Sequence, residues 1–275
     1  MKRILRKLSR LARLDFAPSS GGKLYATHAE AVMRASAVGC NYDSGNLARA
    51  VVESTMRYRD KGAALLRQPI SPMLCRRLLA LELCRPQEHF SVLDFGGAAG
   101  QHYFEAAAHL PPKLRLRWHV VETEALADAA RVLETENLKF FSSVEDAIAD
   151  FSPDLVFSSG ALQCMEDPIT ALRMLTKIRA PYLFLGRGSF CASPPSRYIV
   201  ETSSLECHGP LPMPEFSSSL AAYALTIAPL REFESALEEF YEISLRFDET
   251  ELFRNRMGTE QAVRMAYFCR LKNRG

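Results

Sequence analysis

No two cysteines stand in C-x-x-C spacing, although the 275-residue chain has seven of them. They fall at 40, 75, 84, 164, 191, 207 and 269, an odd and scattered set. That excludes a zinc ribbon and gives no disulfide framework; it reads as reduced thiols in a cytoplasmic protein with no metal site. No run of about 18 apolar residues occurs, so no transmembrane helix is expected. Excess charge is small: 34 basic and 32 acidic residues give a net +2. Nothing therefore marks the whole chain as a nucleic-acid binder. Internal repeats and low-complexity segments are also missing. What is present is ordinary globular composition, 48% hydrophobic and 24% charged, long enough for one large α/β domain with additions.

The N-terminus is the one asymmetric stretch, "MKRILRKLSRLARLDF". Six basic residues, from Lys2 to Arg13, precede Asp15, and Ile4, Leu5, Leu8 and Leu11 share the other face at helical spacing. A signal peptide needs an unbroken apolar core, which this stretch lacks. Residues 1–20 therefore read as a basic amphipathic helix. Two roles stay open for it. It lies on an anionic membrane surface through residues 1–14, at the inner face of the membrane, or its leucines pack on the domain.

Residues 21–88 read as a helical cap segment. "NYDSGNLARAVVESTMRYRD" predicts a helix capped by Asp43 or Ser44, and "PMLCRRLLALEL" a second one. From residue 89 strands and helices alternate: "FSVLDF", "LRWHVVET", "LKFF", "DLVFSSG" and "YLFLG" are strands, each followed by a helix or a loop. That rhythm predicts a parallel sheet covered on both faces. Residues 187–230 break it with six prolines and many serines, and read as an irregular insertion of the lid or binding-loop kind. The helix "LREFESALEEF" follows, and "YEISLRF" and "VRMAYFCRL" close the chain as an antiparallel pair at the sheet edge.

The chemistry gathers at "SVLDFGGAAGQHYFEAAA". A strand runs into a glycine turn and then a helix, whose free N–H groups suit an anionic or polar ligand. The dinucleotide fingerprint G-x-G-x-x-G fails at Ala98 and Gln101, and no P-loop pattern occurs. A nucleotide-cofactor oxidoreductase is therefore disfavoured.

Asp94, Gly96, Gly97 and Gly100 instead resemble the first motif of class I S-adenosylmethionine-dependent methyltransferases, with Ala98 in place of its central glycine. The resemblance implies S-adenosylmethionine as cofactor and a Rossmann-like, doubly wound seven-stranded sheet with an antiparallel last strand, plus N-terminal helices. It further implies that Glu122, ending the second strand, grips the ribose hydroxyls, as a carboxylate's acceptor oxygens suit it to do. Ser142 would lie near the adenine, although Ser142 and Ser143 equally suit a helix cap. Ser159, Leu162 and Gln163 in "SSGALQCMEDP" would face the cofactor or methyl acceptor. A narrower likeness runs through "NYDSGNLARAV", "VLDFGGAAG" and "SSGALQCMEDP" to a bacterial family of methyltransferases found among surface-polysaccharide genes, in which the loop is D-F-G-G-x-x-G. That likeness implies a sugar or other small-molecule acceptor.

Methyl transfer needs alignment of the two partners, and a hydroxyl acceptor also needs a base. His102, next to the turn, is the candidate base, against a simple contact with cofactor or water. Arg187 is a candidate ligand for a phosphate or carboxylate of the acceptor, against a surface ion pair. His208 in the insertion is a second acceptor-side candidate, against a solvent-exposed loop residue. Tyr42 and Asp43 could close over the cofactor, and Cys164 and Met165 read as packing. A cofactor-binding subunit without catalysis also fits, because the acceptor side leaves no signature in sequence.

Overall fold

The computed structural model describes residues 22–67, 69–86, 88–209, 213–216, 218–251, 256–257 and 260–272. The basic helix expected at 1–20, with its membrane contact, lies outside the described residues, as do Pro210 and Pro212. Eleven strands are described: β1 His89–Phe95, β2 Arg115–Val121, β3 Leu138–Phe141, β4 Leu155–Ser159, β5 Tyr182–Cys191, β6 Arg197–Ser204, β7 Leu220–Pro229, β8 Tyr241–Asp248, β9 Arg256–Met257, β10 Glu260–Gln261 and β11 Val263–Leu271. The α-helices are α1 His28–Ser36, α2 Gly45–Lys61, α3 Pro72–Leu83, α4 Gln101–His109, α5 Glu124–Ala130, α6 Val144–Ile148, α7 Pro168–Thr176 and α8 Leu230–Glu238.

The main sheet runs β3-β2-β1-β4-β5-β11-β8. The first five strands are parallel, and β11 is antiparallel to both β5 and β8. The closing pair forms as expected, with β11 set inside and β8 left at the edge. Strand order reverses between β1 and β4, which opens a crevice at their carboxyl ends. The strands are apolar on both faces because both faces are covered. Val92, Trp118 and Phe157 enter one core with α2, α3, α4 and α5; Leu93, Val121 and Val156 enter the other with α6, α7 and α8. A ring such as Phe157, at 0% exposure, contributes about 2–3 kcal/mol by burial.

Local chemistry sets the helix starts. Ser44 caps α2 by accepting from the Leu47 N–H, so the cap is Ser44 rather than Asp43. Ser71 caps α3, with Pro72 in its first turn. Asp167 caps α7 by accepting from the N–H groups of Ile169 and Thr170.

The stretch 187–230 is the main departure from the irregular insertion expected. β5 continues to Cys191, and β6 and β7 form a long antiparallel ribbon paired from Arg197↔Ile227 to Ser204↔Leu220. The prolines mislead: Pro194 and Pro195 stand between β5 and β6, Pro214 stands in a short 3-10 turn, and Pro229 only ends β7. The apolar run "LAAYALTIAP" between them is the strand signal. β7 also joins the end of β5 in parallel, Phe190↔Ala228. The N-terminal segment straps onto this ribbon. Ala31 and Ala35 of α1 pack on Val200, Ala222 and Ala224. Gly39 then passes so close that a Cβ there would sit 2.5 Å from the Leu220 carbonyl oxygen. The strap delivers Tyr42 to the crevice. No helix among the described residues is long and apolar enough to cross a membrane.

Candidate functional site

The glycine turn follows β1 directly. Gly96, Ala98 and Gly100 all have left-handed φ, at 73°, 52° and 79°. Gly96 leaves no room for a side chain, since a Cβ would lie 2.1 Å from Ala161 Cβ after β4. Gly97 lies over Asp94, and a Cβ there would meet a carboxylate oxygen at 2.3 Å. Gly100 begins α4 without a side-chain cap. The turn is thus pinned to its surroundings from two sides by the lack of Cβ atoms.

Asp94 is fully buried beneath this turn. Trp118 Nε1 donates to its Oδ2 at 3.0 Å, and His102 Nδ1 lies 2.9 Å from the same oxygen. The His102 ring also leans on Phe157, centroids 5.0 Å apart. Glu122 meets the turn from the end of β2. Its Oε1 accepts from the Ala98 N–H at 2.9 Å and its Oε2 from the Thr123 N–H at 3.1 Å. Burial pushes Glu122 up to about 7, although both N–H groups pull the other way. Each carboxylate oxygen keeps a second lone pair for an incoming donor.

Facing Glu122 is a cluster drawn from distant parts of the chain. Tyr42, Tyr223 and His208 meet ring to ring, with Tyr42 5.3 Å from Tyr223 and 6.2 Å from His208. Thr123 Oγ1 donates to the Tyr42 carbonyl at 3.1 Å, tying the strap to the end of β2. His208 Nε2 lies 2.7 Å from Ser203 Oγ. Tyr223 donates to Glu201 Oε1 at 3.4 Å. Burial holds the Tyr42 and Tyr223 phenols well above their ordinary range, so both stay protonated. It also pushes the Cys164 thiol up to about 12 and His208 down to about 4. Arg187 acts on all four groups, lowering each. Its guanidinium lies against Gly160, with atoms 3.3 to 3.4 Å from where a Cβ would be. The crevice therefore offers a carboxylate, two neutral phenols, a neutral imidazole and a guanidinium.

The solved structures of similar fold include an S-adenosylmethionine-dependent methyltransferase from Clostridium acetobutylicum, at 12% identity and a TM-score of 0.47, over 79% of this chain and 98% of that one. A second is an S-adenosylmethionine-dependent methyltransferase from Thiobacillus denitrificans in complex with S-adenosyl-L-homocysteine, at 14% and 0.38, over 74% and 93%. A third is the [4+2]-cyclase SpnF, at 11% and 0.46, over 85% and 97%. The chain's own strand order and pairing give a Rossmann-like, doubly wound sheet with its last strands antiparallel. A shared fold does not by itself assign a chemistry. No family model matches the chain, and no curated protein matches it.

The structure brings together Gly96, Gly97, Gly100 and Glu122 on one side, and Arg187 and His208 on the other. Ser159 is buried where β4 ends. Gln163 is buried behind it, its Oε1 accepting from Ser189 Oγ at 2.7 Å and from Arg264 Nη1 at 2.5 Å. Ser142 is exposed, and its neighbour Ser143 caps α6 by accepting from the Asp146 N–H. Sequence reasoning misses Glu201, Tyr223, Glu249 and Arg264. The signal that marks Tyr223 and Arg264 is a polar group inside an apolar strand, as in "LAAYALTIAP" and "VRMAYFCRL".

Proposed function

We propose that the protein is a methyltransferase that binds S-adenosylmethionine at the glycine turn and acts on a small-molecule or sugar acceptor. The carrying observation is Glu122. It is bonded to the Ala98 N–H of the turn, stands at the end of β2 beside β1, whose other neighbour β4 marks the reversal of strand order, and retains acceptor positions suited to two ribose hydroxyls. The donor set around it fits the cofactor. Gly96 is half-buried at the turn, where a polar ligand group would meet backbone; Gly97 and Gly100 are buried and shape the turn, Asp94 supports it from below, and Ser159 and Gln163 would act from the end of β4. Ser142 would lie at the rim, toward the adenine.

When bound, the cofactor supplies a methyl group on a sulfonium, already activated for in-line displacement. The chain's own task is then alignment and water exclusion. Tyr42 and Tyr223 close the crevice and donate hydrogen bonds as neutral phenols. Arg187 and His208 face the acceptor side. His102 is the proton acceptor in this reading, with Asp94 holding its Nδ1 and so orienting the ring. The surface-polysaccharide setting and the site at the inner face of the membrane rest on sequence resemblance and on the basic N-terminus.

A second reading is a cofactor-binding subunit without catalysis. It is favoured by the shortage of bases beside the acceptor: His208 is held down at about 4, and the Cys164 thiol is raised to about 12. Calorimetric titration with S-adenosylmethionine, S-adenosylhomocysteine and NADH tests both. Binding of the first two is expected; binding of NADH alone overturns the proposal. Release of labelled methyl to an extract of cell-envelope sugars separates the catalyst from the subunit.

A further inference from the structure

The bulge at Arg187 is built by buried charges. β5 and β11 pair Leu185 with Tyr267 and Gly188 with Met265, so two residues of β5 face Ala266 alone. Arg187 takes a left-handed φ of 60° there, a region that disfavours residues with a Cβ. Both of its backbone polar groups are held by charged side chains. Its N–H donates to Glu249 Oε2 at 2.8 Å, and its carbonyl accepts from Arg264 Nη1 at 3.2 Å. Glu249 is 2% exposed and Arg264 1%. The clamp is itself braced: Arg76 Nε lies 3.0 Å from the other oxygen of Glu249, and Glu201 Oε2 lies 3.8 Å from Arg264.

A turn alone needs none of this, because glycine at 187 would adopt the same φ unaided. Burying a carboxylate and a guanidinium carries a desolvation cost that even good pairing often only offsets, so stability alone does not account for the clamp. The end served here is visible. The clamp sets the guanidinium of Arg187 against Gly160, in the crevice with Tyr42, Cys164, His208 and Tyr223. Arg264 lies close behind. Burial and the nearby Arg187 lower it to about 10 while Glu201 supports it. Glu201 and Glu249 support the charge of Arg264, whereas the Arg187 guanidinium is set against Gly160 in the crevice, where it suits a ligand of opposite sign.

We propose that Glu249 and Arg264 are positioning residues that hold Arg187 in a strained bulge, so that its guanidinium grips an oxyanion of the acceptor, a carboxylate or a phosphate. This rests on the methyltransferase reading of the crevice and adds to it the charge class of the acceptor. A planar guanidinium matches either oxyanion through paired N–H donors.

The test uses the full chain, titrated with inorganic phosphate and separately with acetate, and followed by the amide NMR shifts of Gly160 and Arg187. The variants are Arg187→Gly, Arg187→Asn, Glu249→Ala, Glu249→Gln and the double variant Arg187→Gly/Glu249→Ala. Saturable shifts are expected in the parent protein, with the tighter of the two anions naming the group. Both Arg187 variants should bind it at least roughly tenfold more weakly. Their melting temperature should hold or rise by roughly 2 °C, because glycine and asparagine accept the left-handed φ. Glu249→Ala should lose most of the anion response and Glu249→Gln should recover it, since glutamine still accepts the Arg187 N–H. In the double variant, Glu249→Ala should add nothing to the loss. Anion binding that survives in Arg187→Gly or in Glu249→Ala overturns the proposal, as does a parent protein that responds to neither anion. Weaker S-adenosylhomocysteine binding in Arg187→Asn would place the guanidinium on the cofactor and overturn the acceptor assignment. Parent protein that binds phosphate but not S-adenosylhomocysteine would sink the methyltransferase reading and leave the anion result standing.

Discussion

Asp94 and His102 are joined beneath the glycine turn, with the imidazole Nδ1 2.9 Å from a carboxylate oxygen that solvent does not reach. The indole N–H of Trp118 shares that oxygen at 3.0 Å. The acid that opens the motif thus acts through the turn it supports and the ring it orients. Asp94→Ala would leave the buried indole N–H without an acceptor and remove the floor under Gly97. The expected cost is about 2–4 kcal/mol, read as a lower urea midpoint with an unchanged slope. Asp94→Asn, which keeps an oxygen for the indole, should cost clearly less. Equal losses in the two variants would show that the indole bond does not matter.

The left-handed φ of Ala98 makes a sharp prediction of opposite sign. An alanine there carries a backbone penalty of about 1–2 kcal/mol that glycine does not. Glycine gives back part of that by loosening the unfolded chain. Ala98→Gly should therefore leave stability unchanged or raise it by about 0.5 kcal/mol. Gly96→Ala, at a φ of 73° and with its new Cβ 2.1 Å from Ala161 Cβ, should lose at least about 2 kcal/mol. Thermal unfolding of the two variants side by side decides it. A stable Gly96→Ala protein would mean that the loop after β4 gives way easily.

Much of the fold is legible in the amino-acid sequence, because its strands are short apolar runs between helix signals. The glycine turn and Glu122 are legible for the same reason: each ends a strand at one edge of the sheet. The acceptor side is not. Tyr42, Glu201, His208, Tyr223 and Arg264 meet only through pairings such as Cys40↔Ala221 and Tyr223↔Glu201, and no local spacing announces them. Proline content hides β6 and β7, although those prolines lie at or beyond strand ends, where a missing N–H costs little. Arg187 reads as a ligand candidate from its place beyond an apolar strand. The charges that hold it, Glu249 and Arg264, belong to the closing strands and their connection, which read as plain sheet edge.

His208 should leave a mark on acid stability. Burial, with Arg187 beside it, lowers its pKa to about 4, whereas in the unfolded chain it titrates near 6.5. The unfolded state therefore binds more protons between those values. The stability this neutral imidazole allows is complete above about pH 6.5 and is lost as pH falls toward 4. Denaturant unfolding at several pH values should show that loss in the parent protein and a shallower slope in His208→Gln. Parallel pH curves for the two proteins would place the imidazole in water.

Glu122 predicts the reverse sign, and it links stability to ligand binding. Its folded pKa is raised by burial to about 7, from an ordinary 4.5. The folded state therefore binds more protons between those values, so the contribution of Glu122 to stability falls as pH rises from about 4.5 through 7. Ribose hydroxyls donate best to the ionised carboxylate, so cofactor binding should tighten over that same range and expel a proton. At about pH 7 close to half of the sites are protonated, and calorimetry in buffers of different ionisation heat should report about half a proton released per ligand. Release should fade by about pH 9, where the carboxylate is already ionised. Glu122→Ala should weaken S-adenosylmethionine binding by roughly tenfold or more and abolish the proton release. Glu122→Gln should also abolish the release while keeping part of the affinity, because the amide carbonyl still accepts one hydroxyl. Proton release that persists in Glu122→Gln would assign the titration to another group and remove Glu122 from the ribose contact.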